Sequence, residues 1–116
     1  METNTDTNSI LISIKQLLGI DHDYTHFDTD VIIQINMAIN ILNQLGVGPS
    51  GFKITGTQET WDDLLLDEVN LEMSKTYIYI KTKLAFDPPL NSSVTQMYER
   101  QLTELEWRLN VEVDHK

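Results

Sequence analysis

The sequence predicts an all-α domain, a small helical bundle of four main helices plus one short helix, with a long glycine-rich loop and extended polar termini. Three observations predict it. Apolar residues recur at helical spacing in four separate stretches, most regularly at Met73, Tyr77, Ile80 and Leu84, four, three and four residues apart. Three of the four stretches end on residues that stop helices: Gly19, Gly46 and the run Asp87-Pro88-Pro89. Strand-like alternation is confined to short pieces such as Tyr77-Ile78-Tyr79-Ile80. There the long periodic context, and flanks rich in Leu, Glu, Met, Lys and Ala, favour helix.

Taken in order, residues 1–8 read as a flexible polar tail, 9–111 as a single helical domain and 112–116 as a C-terminal tail. Asn8 or Ser9 can cap a first helix over residues 10–18, with Ile10, Leu11, Ile14, Leu17 and Leu18 as its apolar face and Gly19 in the left-handed position that ends it. Residues 21–27 form a polar loop. A second helix opens at Asp28 or Thr29, places acidic residues at its positive end, and runs to about Leu45. Val31, Ile35, Ala38, Leu42 and Leu45 form its stripe, widened by Ile32 and Ile39. Its other side carries Asn36, Asn40, Asn43 and Gln44, which are polar but uncharged. Such a face can pack on another subunit, or it can simply be solvated.

The turn-rich segment 46–51 opens a long loop reaching Glu59, in which Phe52-Lys53-Ile54 reads as a short extended piece. Thr60 to Asp63 resembles a capping box that starts a short helix with Trp61, Leu64 and Leu65 turned inward. The organising helix follows, from about Asp67 to Phe86. After Pro89, Ser92 or Ser93 caps the last helix, whose stripe is Val94, Tyr98, Leu102, Leu105 and Leu109. Glu104 and Arg108 sit one turn apart and support it weakly. From Val111 the pattern alternates and reads as an extended tail.

Composition bounds the function. A chain of 116 residues with 41% hydrophobic content fits one domain with a core of limited depth, so contacts with neighbouring subunits are an expected source of stability. There is no cysteine, which removes disulfides, thiolate metal sites and a cysteine nucleophile. Eight Lys and Arg face eighteen Asp and Glu, a net charge of −10. General binding to nucleic acid backbones or anionic membranes is therefore disfavoured. No apolar run is long enough to cross a bilayer, and the polar start METNTDTNS lacks the pattern of a signal peptide. The expected setting is a cytoplasm, or a particle assembled in one.

Chemistry-bearing patterns fail on inspection. Asp21, Asp23, Thr25, Asp28 and Asp30 suggest a calcium loop, but the sixth and twelfth places hold His26 and Ile32 where glycine and a bidentate acid are needed. His22 and His26 lack a third zinc ligand and sit in loop. No catalytic motif or phosphate-cradling loop occurs, so no catalytic, cofactor-binding or metal residue is assigned and the chain is not expected to be an enzyme. Trp61, Tyr77, Tyr79, Phe86 and Trp107 lack the interleaved cations of a nucleic-acid platform, and read as core or interface aromatics. The candidate interface residues are Trp107, which lies off the stripe, Asn36, Asn40 and Asn43 on the uncharged face, Phe52 and Lys53 in the loop, and Val111 and Val113 near the end.

Four pieces together, DTDVIIQINMAINILNQLGVG at 28–48, TWDDLL at 60–65, KTYIYIKTKLAFDPP at 75–89 and YERQLTELEWRLNV at 98–111, resemble the small head–tail connector (adaptor, head-completion) proteins of tailed bacteriophages. The resemblance spans roughly residues 10–113. It implies an α-helical bundle that forms a ring, commonly dodecameric, docked under the portal protein. Such a ring extends the DNA channel and carries a downstream connector or tail-terminator protein. It implies a virion location at the head–tail junction, genomic DNA passing through without specific binding, no membrane and no catalytic residues. The acidic composition suits a channel to which DNA must not stick. Two other readings stay open on sequence: an acidic DNA-mimic decoy for a host nucleic-acid-binding protein, and a tail-assembly helper.

Overall fold

The computed structural model describes residues 8–114 and contains four α-helices and a short 3-10 helix. The helices are α1 (Ile10–Leu18), α2 (Asp28–Gln44), α3 (Glu68–Phe86) and α4 (Ser92–Asp114), with the 3-10 turn Trp61–Leu64 ahead of α3. Residues 1–7 and 115–116 lie outside the described residues, so most of the expected tails does too. Asn8, the last residue of the expected N-terminal tail, is engaged: its carbonyl accepts from Trp61 N–H at 3.0 Å.

Local chemistry explains the helix limits. Ser9 Oγ accepts from the Ile12 N–H at 3.3 Å, and Gly19 closes α1 at φ 82°. Ser9 is fully buried because it pairs with Thr60, which ties the start of α1 to the 3-10 turn. Trp61 completes that tie, its indole Nε1 donating to Ser13 Oγ at 2.8 Å. The Asp63 carboxylate accepts from Thr60 N–H at 2.9 Å, the acidic half of the expected capping box. Asp67 caps α3 by accepting from Asn70 N–H at 2.9 Å. Asn91, not Ser92 or Ser93, serves the first turn of α4: its Oδ1 accepts from Ser93 N–H at 2.7 Å.

The core gathers Ile10, Leu11 and Ile14 of α1, Val31, Ile35, Ala38, Ile39 and Leu42 of α2, and Tyr77, Ile78 and Ile80 of α3. Leu102 and Leu109 close it from α4, and Trp61 and Leu64 from the 3-10 turn. α3 is the central helix, packed against both α2 and α4. Being covered on more than one side, it buries Ser74, Ile78 and Thr82 at four-residue spacing in addition to Tyr77 and Ile80, while Met73 and Leu84 at the ends of the expected stripe are only half-buried.

Four expectations change. Leu17 and Leu65 point outward, because α1 and the 3-10 turn each contact the core along a narrower face than the apolar count suggested. Phe52-Lys53-Ile54 enters no strand among the described residues. Residues from Val111 are helical rather than extended, because α4 continues to Asp114: Val113 lies one turn beyond Leu109 and adds a further contact to the same apolar stripe.

Candidate interface

The candidate residues divide between the interior and the surface. Asn36 belongs inside the fold. Its Nδ2 donates to the Ile54 carbonyl at 2.9 Å and its Oδ1 accepts from the Ile54 N–H at 2.8 Å. Asn43 Nδ2 donates to the Val47 carbonyl at 2.8 Å. The two amides therefore pin the long loop to α2, and they bury Ile54 and Val47 in the core. A polar uncharged face is the right chemistry for this, since a side-chain amide offers both a donor and an acceptor to a passing backbone. Asn40 is exposed, as is Lys53, while Phe52 is half-buried against the core.

Trp107 is 67% exposed. It lies in the row Gln96, Arg100, Thr103, Glu104 and Trp107 along the exposed side of α4. On its flank, Val69 and Met73 of α3 and Val111 of α4 form a shallow apolar hollow with it. Val113 packs inward, toward Gly46. Thus Trp107 and Val111 share one surface, Asn40 stands on another, and Asn36, Asn43 and Val113 stand on none.

A seam of buried contacts joins α4 to α3. Tyr77, fully buried, donates its hydroxyl to Glu106 Oε2 at 2.7 Å. Burial first, and the adjacent Glu106 carboxylate second, push that phenol well above the ordinary tyrosine range. Tyr79 is raised the same way, by burial and then by Tyr98 across the seam. Arg108 and Glu104 are paired at 2.8 Å on the outer surface.

Three features escaped the sequence reading. Ile33 and Met37 of α2 are 50% and 57% exposed, one helical turn apart and off the buried stripe. Their four-residue spacing was visible in the sequence. Lys15 is buried at 2% and donates its ammonium to the carbonyls of His22 (3.2 Å) and Tyr24 (2.7 Å) and to Asp28 Oδ1 (2.7 Å). It therefore holds the 21–27 loop from beneath, where no periodicity could announce it. On that loop Phe27 sits edge-on to Phe86 with ring centroids 5.3 Å apart, joining the start of α2 to the end of α3. Among the described residues no group of three His, Asp or Glu is gathered to hold a metal ion.

The family model for phage connector proteins matches residues 10–116. The chain belongs to that family. No curated protein and no solved structure matches it. As a connector, it is a structural component of the phage particle whose partners are other head and tail proteins. No helix among the described residues is long and apolar enough to cross a membrane.

Proposed function

We propose that this connector is the subunit of a ring, with twelve copies the expected number, docked beneath the portal at the capsid vertex. The ring extends the DNA channel and presents a platform to the next connector or tail-terminator protein. It assembles in the host cytoplasm, acts as a scaffold without catalysis and lets genomic DNA pass without specific binding. The family match across nearly the whole chain carries this reading. Two further observations support it. The net charge of −10 gives DNA no surface to adhere to. Large apolar side chains stand exposed on helices that are otherwise well packed: Trp107 on α4, Ile33 and Met37 on α2.

The test is the neck of the virion. A cryo-EM map should show a ring of this chain directly under the portal, and particles lacking the protein should hold filled heads without attached tails. Normally tailed particles in its absence would overturn the proposal.

A further inference from the structure

α4 meets the end of α2 where Val113 packs toward Gly46. Away from that contact a trough separates the two helices, with α3 as its bed. Met37 and Ile41 form one wall, Lys81 and Leu84 the bed, and Glu99 and Leu102 the other wall. Toward the start of α2 the trough shares Gln34 and Ala85 with a second hollow that reaches Asp30 and Ile33. On the α4 side it shares Glu99 and Thr103 with the Trp107 surface. The exposed side chains of Ile33, Met37 and Trp107 therefore border one connected surface rather than standing singly, which is the mark of a docking site.

Its charge says what docks there. Along the trough three carboxylates, Asp30, Glu99 and Glu106, stand against one ammonium, Lys81, with Arg100 beyond the rim. Asp30 and Glu99 form no ion pair with a described residue. The chain has no helix of its own to answer them. Lys15, Lys75, Lys83 and Arg108 are paired within the fold, and Lys53 lies in the long loop. A second copy would also bring a net charge of −10. The complement is a different protein, with cations to offer.

The walls decide its form. α2, α3 and α4 bond their own backbones, so an extended segment finds no edge to pair with. A helix needs none. Ala38 and Ala85 in the lining admit a helix backbone at the usual spacing of about 8–10 Å. From Asp30 to Ile41 the trough runs about 16 Å along α2, or about three helical turns.

We infer that the trough receives a helix of about three turns from another protein of the virion. Its apolar side lies on Met37, Ile41, Leu84 and Leu102, and its lysine or arginine side chains meet Glu99 and Asp30. This deepens the platform role proposed above and rests on it for the source of the helix.

The photo-crosslinking amino acid benzoylphenylalanine, placed at Met37 of the full chain in the phage itself, tests it in intact virions. The expected product joins this chain to a segment of another virion protein with apolar residues at helical spacing and lysine or arginine beside them. A product with a second copy of this chain, a product with a segment lacking cations, or no product overturns the inference and leaves the ring reading standing. Virions that contain none of this chain overturn both. The crosslinked segment, made as a peptide, is then titrated against the full-length chain. Met37→Glu and Glu99→Lys should each weaken binding by about tenfold or more. Both residues are exposed, so the thermal midpoints should stay at the parental value. A peptide with its cations replaced by glutamate should regain affinity for the Glu99→Lys chain. Binding unchanged by both variants, or no regain with the reversed peptide, overturns the inference.

Discussion

The side-chain amide of Asn36 holds both backbone groups of Ile54, donating to its carbonyl at 2.9 Å and accepting from its N–H at 2.8 Å. One side chain on α2 thereby does for the loop what a neighbouring strand would do. Asn36→Ala leaves both groups of Ile54 without a partner in a site where Ile54 is 1% exposed. Each unsatisfied group costs about 1–3 kcal/mol, so a loss of about 2–4 kcal/mol is expected. Urea unfolding of Asn36→Ala and Asn36→Asp measures it, and the Asp variant, which keeps the acceptor, should fall between parent and Ala.

Lys15 is the buried latch of the 21–27 loop. Lys15→Met keeps most of the side-chain volume and removes three donated hydrogen bonds. Breaking one partner of a buried ion pair costs about 3–5 kcal/mol; with Asp28 still 24% exposed, about 3 kcal/mol is expected. Hydrogen exchange should speed up across residues 21–27 and much less across α4. Uniform exchange in the variant would show that the latch is global rather than local.

Tyr77 predicts an alkaline limit. Its phenol ionises in the unfolded chain near the ordinary value of 10.0, and above that in the fold. A raised folded value means that the neutral form is favoured by folding. The contribution is therefore complete below about pH 10 and is lost as pH rises above it. Tyr79 acts in the same direction. Tyr77→Phe should cost about 1–2 kcal/mol at pH 7 through loss of the bond to Glu106. It should also flatten the fall in thermal midpoint above pH 10. An equally steep fall in the variant would assign the alkaline limit to other groups.

Gly46 tests the docking of the last turn of α4. It adopts φ 91°, and a Cβ there would stand 2.9 Å from Val113 Cγ1. Gly46→Ala should cost about 1–2 kcal/mol from the left-handed backbone alone, with the collision added. Val113→Ala in the same chain should recover the collision part only. If the double variant is no more stable than the sum of the singles predicts, the contact is absent.

Trp107→Ala should leave the monomer within about 0.5 kcal/mol of the parent, as exposed substitutions do, because the ring is 67% exposed. Assembly on the portal should fail. Denaturation curves and sedimentation of the portal complex separate the two effects. A monomer weakened by several kcal/mol would place Trp107 in the core after all.

The helices were legible because their signals are local. The stripes at Val31, Ile35, Ala38 and Leu42 and at Leu102 and Leu109 are buried as their spacing required. Gly19 ended α1, and the Asp87-Pro88-Pro89 run ended α3. Which candidate residues reach the surface was only partly legible. Trp107 stood off its stripe and proved exposed, but Asn36 and Asn43 had the composition of a docking face and were used inside. Sequence spacing cannot tell a free amide from one that meets a backbone eighteen residues away.

The sequence by itself determined that the chain folds as helices, where most of them begin and end, and that it carries a net charge of −10. Periodicity, caps and net charge are properties of neighbouring residues or of simple sums, and need no partner to be read. The tertiary structure decided which polar groups are spent inside and which helix faces remain outside. It put Lys15 beneath a loop, carried Val113 back to Gly46, and left Trp107 and Met37 exposed. Those outcomes depend on contacts between distant segments, which exist only once α3 has been enclosed between its two neighbours.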